Sequence, residues 1–465
     1  MKKLSGWKMG CSLLLICAAT TGVNAQTFNT LVNFDGSNGS APEYGSLVQG
    51  RDGNLYGTTG GGGRYYQGTF FKLAPAGNFS TLYNFCGGCQ DGSEPYSGVI
   101  LATDGNFYGT TLTGGKNNSG TVFKITSDGV LTTLYNFCSQ SGCADGQYPY
   151  GALVQGLDGK FYGTTWWGGD PNTNSGTIFE ITSKGDLTTL HKFDGYDDGS
   201  HPYAKLTQGT SGDFYGTTAE GGRDNYGTIF KVTASGAFTL LFYFQSNSGG
   251  PTGALVEGID RDFYGTTFGA QGSVFRVTPD GVVKEIEPFS ITDGYDPFAG
   301  LIEATDGNFY GTTLRGGNTT CGDGCGTVFE ITPAGTLTTL RDFESTDGAS
   351  PFAGLTQATS GTFYGTTTYG GGACDCGTVF SLDMGLGPFV AFVRPFGKSG
   401  QTGGILGQGF TGTTSVAING IQANFAVVSD TYIKATVPQA ATTGYVTVTT
   451  PTGVLTSNVP FRVIQ

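Results

Sequence analysis

Along most of the chain apolar and polar residues alternate with the period of a half-buried β-strand, and glycine-rich turns separate the alternating runs. The runs come in a fixed order that repeats. Tyr-Gly-Thr-Thr begins at Tyr56, Tyr108, Tyr162, Tyr215, Tyr264, Tyr310 and Tyr364, seven copies spaced 46 to 54 residues apart. The sixth copy displays the unit. Gly300 to Ala304 reads as a first strand, Asp306-Gly307 as a hairpin turn that favours positive φ, and Phe309 to Thr313 as a second strand. Thr327 to Ile331 reads as a third strand and, after Pro333-Ala334-Gly335, Leu337 to Phe343 as a fourth. Such a unit is a four-stranded antiparallel meander with two faces to bury. Alone it cannot cover both, whereas successive meanders packed about an axis cover one another, and this predicts a β-propeller.

The ends of the repeat region predict how the ring closes. The seventh copy stops after its third strand, Thr378 to Leu382, with no fourth strand behind it. The missing pattern stands near the start of the chain, at Thr27 to Phe34, with no first three strands before it. The N-terminal strand is therefore expected to complete the seventh blade, giving 28 strands in an all-β, seven-bladed propeller. Spellings such as Asp-Gly-Asn-Phe-Tyr-Gly-Thr-Thr at Asp104 to Thr111 and Asp306 to Thr313, each followed by Gly-Thr-Val-Phe-Lys/Glu-Ile-Thr, resemble the GloVer tandem repeat family over about residues 27 to 383. That resemblance implies an exported bacterial protein with a C-terminal anchoring device of variable kind, and it implies no particular activity.

Beyond Gly385 to Pro388 the repeat ends. Gly404 to Phe410, Ser415 to Gly420, Ile433 to Pro438 and Gly444 to Thr449 are short alternating strands at the spacing of a β-sandwich. Their order is similar to an IPT/TIG immunoglobulin-like domain, which implies a spacer or binding module. The expected divisions are 1–25, 26–384 and 385–465. The first of these carries Lys2, Lys3 and Lys8, an apolar run from Cys11 to Ala19, and small residues at Val23 and Ala25, the layout of a secretory signal peptide cut before Gln26. Cys17 follows Leu-Leu-Ile, a poor lipoprotein site, and no later apolar run reaches the roughly 20 residues a membrane helix takes. A secreted, periplasmic or cell-surface product is expected.

Composition refines this picture in two places. Glycine is 82 of 465 residues and charged residues are 13%, which suits many short strands and almost no helix. The formal charge is −13. Setting aside the three lysines of the first 25 residues leaves 20 basic against 36 acidic residues, or −16, a surface that repels phosphate backbones and makes nucleic acid an unsuitable partner. The eight cysteines of the mature chain fall in tight pairs, Cys86/Cys89, Cys138/Cys143, Cys321/Cys325 and Cys374/Cys376. With only His191 and His201 to complete a zinc site, local disulfides are the better reading, and no metal or other cofactor is expected. A bridge across the single residue between Cys374 and Cys376 is strained, so whether these two pair is left open.

Strand order sorts the connections onto two faces. Those between strands one and two and between three and four are short and stereotyped; those between two and three, and from one blade to the next, are long, variable and hold all the cysteine pairs. Binding residues favour loops on a rigid frame, so the variable face is the candidate surface. Trp166 and Trp167 are its most conspicuous residues, with Tyr65, Tyr66 and Tyr226 on corresponding loops. These aromatics either stack on a ligand or, in the case of the tryptophans, continue the strand into the core and cover it. Asp-Gly-x-x-Pro also recurs, from Asp91, Asp145, Asp198, Asp293 and Asp347. A carboxylate ring there can hold a cation, but an aspartate capping its own turn explains the recurrence better.

No catalytic constellation is legible, and no catalytic residue is assigned. The expected function is an exported, non-catalytic binding or scaffold protein, a monomer that engages a glycan or a cell-surface protein through the variable face. The alternatives are an enzyme acting on extracellular polysaccharide through paired carboxylates, as a lyase or glycosidase, and a structural envelope component.

Overall fold

The computed structural model describes residues 26–86, 88, 90–245, 249–317 and 321–464. The expected signal peptide at 1–25 lies outside them. The described chain is all-β, built mostly of four-stranded antiparallel sheets, the fifth of which gains Gly250–Pro251 as an added strand, with a single short 3-10 turn at Ser141–Cys143. No helix among the described residues is long and apolar enough to cross a membrane.

The first sheet shows the order common to all the repeats. Val48–Gln49, Leu55–Thr59, Thr69–Leu73 and Phe79–Asn84 pair successively as an antiparallel meander. The first strand is shorter than its alternation suggests: in the sixth repeat it is Ile302–Glu303, not Gly300 to Ala304. The reason is close approach between neighbouring sheets. A Cβ on Gly300 would lie 2.4 Å from the Ala254 carbonyl oxygen, so the segment before the strand packs against the preceding repeat. In the last sheet Thr27–Asn33 pairs antiparallel with Thr378–Asp383, so the N-terminal strand occupies the outer position as expected.

The Tyr-Gly-Thr-Thr spelling has a packing reason at three of its four positions. The tyrosine is buried, and its hydroxyl donates to the aspartate of the preceding turn, as from Tyr108 to Asp104 and Tyr162 to Asp158 at 2.8 Å and from Tyr310 to Asp306 at 2.7 Å. The glycine makes room for the third-strand phenylalanine; a Cβ on Gly311 would lie 2.6 Å from the Phe329 ring. The second threonine pairs its hydroxyl with that of the third strand, Thr111 with Thr121 and Thr313 with Thr327, both at 2.9 Å. All of these side chains are buried, where an unpaired polar atom costs about 1–3 kcal/mol.

Neighbouring sheets stack through the same residues. The ring of Tyr108 lies 4.1 Å from that of Phe161, Tyr162 from Phe214 at 4.1 Å, Tyr215 from Phe263 at 4.0 Å, and Tyr264 from Phe309 at 4.1 Å. Such pairs add about 0.5–1.5 kcal/mol each beyond the area they bury. A first-strand Gln or Glu also reaches back to a backbone N–H of the previous sheet. Gln155 accepts from Thr103, Gln357 from Thr305 and Gln49 from Thr359, at 3.0, 3.1 and 2.9 Å. The last of these joins the first sheet to the last, and Leu55, Phe71, Tyr364 and Val379 share a cluster there. One device thus makes both the ordinary contacts and the closing one.

Residues 389–464 form two further four-stranded sheets and a parallel pair, Phe396–Lys398 with Arg462–Ile464, around Val390, Phe410, Val416, Ile433 and Val448. This unit sits against the short-turn face. Thr431 Oγ1 donates to the Arg51 carbonyl at 2.7 Å, and Leu406 and Tyr432 join the cluster of Tyr56 and Leu101.

Candidate active site

On the variable face each sheet-to-sheet connection ends in a proline. In six of them the residue before it is a non-glycine in the left-handed region: Ala41, Glu94, Tyr148, His201, Asp296 and Ser350, with φ between 50° and 58°. This conformation costs a residue with a Cβ about 1–2 kcal/mol. Backbone hydrogen bonds to neighbouring loops hold it in place. The Glu94 N–H donates to Gln67 O at 3.0 Å while its carbonyl accepts from Leu112 at 2.9 Å, and His201 does the same with Ser175 and Ala219 at 2.9 and 3.3 Å.

The residue just before joins the end of the second strand through an isolated bridge, Ser93 to Thr113, Gln147 to Trp167, Ser200 to Glu220 and Tyr295 to Arg315. Each of these four repeats therefore sets two variable side chains next to each other. Thr113 donates to Glu94 at 3.2 Å, the Tyr148 and Trp167 rings lie 6.4 Å apart, His201 Nδ1 is 3.1 Å from Glu220 Oε2, and Arg315 is 3.4 Å from Asp296. The result is a rim in which these four repeats each present a different pair.

The rim surrounds an aromatic floor. After their prolines the connections present Tyr96, Tyr150, Tyr203, Phe298 and Phe352, and the first presents Tyr44. Tyr44 lies 5.7 Å from Tyr96, 5.6 Å from Tyr150, 5.3 Å from Phe298 and 5.5 Å from Phe352, so it meets rings from four other repeats and stands at the centre. An extra residue puts it there. Four residues separate Pro42 from Leu47, against three between Pro149 and Leu153, and the added one is Glu43.

Glu43 is half-buried and accepts no hydrogen bond among the described residues. Burial, assisted by the charge of Glu94, pushes its carboxyl up to about 7. Burial raises the Tyr44 and Tyr96 hydroxyls as well, with the charge of Glu43 second. The Tyr150 hydroxyl is pushed up to about 12 by burial, then by Tyr203, Glu43 and Glu94. At neutral pH the floor thus holds a carboxyl that can keep a proton, within reach of the charge of Glu94, and several neutral phenols.

Sequence reading found part of this arrangement. Trp166 joins it, 5.5 Å from Tyr150, 5.8 Å from Tyr203 and 5.3 Å from His201, with its buried Nε1 unpartnered among the described residues. Trp167 lies 5.2 Å from Trp166 and is 39% exposed. Tyr65, Tyr66 and Tyr226 are exposed on loops of the first and fourth sheets and make no ring contact with the floor among the described residues. Glu43, Tyr44 and Glu94 were missed. So was Lys205, which stands where the other repeats carry Ser46, Gly98, Ala152, Ala254, Gly300 and Gly354. Its amine is lowered by the protein around it and has no acceptor among the described residues.

The recurring aspartates serve their own turns. Asp145 accepts from Ser139 N, Gln140 N and Tyr135 OH at 2.9, 3.1 and 2.7 Å, and Asp198 from Asp194 N at 2.8 Å, with His191 Nε2 at 2.7 Å. Cys138 is joined to Cys143, Cys321 to Cys325 and Cys374 to Cys376, while the expected Cys86/Cys89 pair involves Cys89, outside the described residues.

Fold and site together define an all-β protein of consecutive, propeller-like four-stranded repeats that converge on one variable mouth. The Gloeobacter/Verrucomicrobia repeat matches residues 20–230 and 201–424, and the chain belongs to that family. No curated protein is similar to it in sequence.

Among solved structures it is similar to a protein assigned as a gluconolactonase, at 10% identity and a TM-score of 0.40 over 78% of this chain and 94% of that one. A luciferin-regenerating enzyme is similar at 10% identity and a TM-score of 0.41, over 78% and 98%. A protein assigned as a 6-phosphogluconolactonase, from Bacteroides uniformis, is similar at 15% identity and a TM-score of 0.44, over 64% and 83%. The expected non-catalytic binding or scaffold role finds no support in these names, which belong to enzymes, as its enzyme alternative has it, and at this distance show the fold alone. They transfer no substrate and no residue role at such distance. What this chain can do is read from its own floor and the raised carboxyl of Glu43 within it.

Proposed function

We propose that the mouth is the active site of an exported enzyme that cleaves glycosidic bonds in extracellular polysaccharide, with Glu43 as proton donor and Glu94 as the second carboxyl. The place of Glu43 carries this reading. It is inserted into one repeat only, next to Tyr44, the central ring of the floor, without a hydrogen-bond partner among the described residues, and the charge of Glu94 reaches it. A glycosidase needs one carboxyl that delivers a proton to the leaving oxygen and another that activates water or attacks the sugar. Tyr44, Tyr96, Tyr150 and Trp166 supply flat apolar faces for sugar rings, and the rim pairs select among them.

The same proposal takes the seven sheets as a closed seven-bladed propeller over 26–384 and residues 385–465 as an IPT/TIG immunoglobulin-like domain. The hydrogen bond from Thr359 to Gln49 across the closing contact supports the ring, and the two packed sheets around Val416 and Val448 support the domain. Export is supported by three joined cysteine pairs, which persist in oxidising compartments.

The test is release of reducing ends from a panel of plant, algal and bacterial polysaccharides by the purified chain. Turnover on at least one of them, abolished by Glu43→Gln and weakened in KM by Tyr150→Ala, is the expected result. No turnover on any of them, or full activity in Glu43→Gln, overturns the reading; unsaturated products in place of hydrolysed ones assign the site to β-elimination instead.

A further inference from the structure

The short-turn face reads as plain scaffold in sequence, yet the structure places a cavity of 430 Å³ there, between the turns of the first two sheets and the C-terminal strands. Arg51, Asp104, Arg394, Phe396, Tyr432 and Lys434 line it. In a chain of net charge −13, three cations and a single acid around one cavity run against the composition.

The acid does not neutralise them. Asp104 already accepts from Asn106 N at 2.9 Å, Asn106 Nδ2 at 2.8 Å and Tyr108 OH at 2.8 Å, serving its own turn and the buried tyrosine. Arg51 spends one nitrogen on Thr103 O at 2.7 Å and lies 4.7 Å over the Tyr432 ring, while its buried Nε has no partner among the described residues. Arg394 is half-buried and lies 4.9 Å over the Phe396 ring. Neither its guanidinium nor the exposed Lys434 amine has an acceptor among the described residues. Burying a guanidinium without an acceptor is costly, and a ligand that supplies one recovers that cost.

We infer that this cleft binds an anionic saccharide, its carboxylate or sulfate group held by Arg394 and Lys434 and its ring lying among Phe396 and Tyr432. The volume lies within the range of small-ligand sites, and the planar fork of arginine matches both oxyanions. The cleft lies on the opposite face from the Glu43 mouth, so it gives the protein a second hold on an acidic glycan, independent of turnover. It also gives the C-terminal unit a role beyond spacing, because Arg394 and Lys434 belong to it.

The experiment is calorimetric titration of the full-length mature chain with digalacturonate, with lactose and with inorganic sulfate. Saturable binding of digalacturonate, none of lactose, and a loss of about tenfold in affinity in Arg394→Gln and again in Lys434→Gln is the expected result. Arg51 is left intact because it holds the contact between the two units, and exposed Lys434 keeps the test open should Arg394→Gln fold poorly. No saturable binding, binding unchanged in both variants, or equal affinity for free sulfate overturns the inference, the last meaning an adventitious ion only. Glu43→Gln should leave this binding untouched, so failure of the cleft and failure of the catalytic reading are separate results.

Discussion

The second strands and the connection ends before the prolines differ in what repetition does to them. Tyr-Gly-Thr-Thr is spelled identically seven times because its side chains are tied into the core: the tyrosine hydroxyl in most copies to a turn aspartate, the glycine to a phenylalanine ring, the second threonine to a facing hydroxyl. The residues before the prolines share one strained backbone conformation and almost nothing else; Glu94, Tyr148, His201 and Asp296 occupy equivalent places. Uniform geometry with divergent side chains is how a repeat builds a single asymmetric site. The backbone is solved once, and chemistry is then varied on it without touching the core.

That contrast can be broken most forcefully at Glu43. Glu43→Gln should lower turnover by about 10²- to 10⁴-fold, the usual worth of a general acid, while leaving the unfolding midpoint near or above that of the parent. A loss of stability in place of activity would move this residue from the site to the scaffold. In the second strand the effect should be the reverse. Gly311→Ala forces a methyl to within 2.6 Å of the Phe329 ring and should cost about 1–3 kcal/mol in denaturant unfolding, with activity per folded molecule preserved.

Tyr310→Phe removes one hydroxyl from Asp306 and should cost about 1 kcal/mol by the same measurement. Tyr369→Ala, at an exposed position that bridges Ala349 as Thr113 bridges Ser93, should stay within about 0.5 kcal/mol of the parent. If it costs as much as Gly311→Ala, the two regions do not differ as described.

Titration sharpens the same comparison. The Glu43 carboxyl lies near 4.5 in an unfolded chain and about 7 in the fold, so the folded state binds the extra proton between these values. Stability is then highest below pH 4.5 as far as this group is concerned, and its contribution falls as pH rises to about 7 and is constant above. Glu43→Gln, neutral throughout, should lack this slope in thermal unfolding scanned from pH 4.5 to 8; identical slopes in both proteins would place the carboxyl in water.

Much of the scaffold was legible because its signals are local and repeated. Seven tetrapeptides set the number of sheets, and the stray fourth-strand pattern at Thr27 to Phe34 announced its pairing with Thr378–Asp383. Turn capping by Asp145 and Asp198 was also readable, since recurrence with Gly and Pro points to structure. The site was not legible for the same reason. Glu43 differs from the pattern by one inserted residue, which looks like loop variation until Tyr44 is seen to meet rings from four other repeats. The pairing of His201 with Glu220 and of Asp296 with Arg315 depends on isolated bridges that no periodicity reports. Trp166 and Trp167 drew attention by size, and they stand at the edge of the floor rather than at its centre. The cationic cleft was hidden because its residues come from Arg51 and from positions more than 300 residues later.

The most direct test is the pH dependence of kcat/KM on whichever polysaccharide the chain cleaves. If Glu43 donates the proton, activity falls as pH rises through about 7, and this limb disappears along with nearly all turnover in Glu43→Gln. A profile that is flat through that range, or a Glu43→Gln protein that keeps the parental limb, would contradict the assignment of the mouth as the active site.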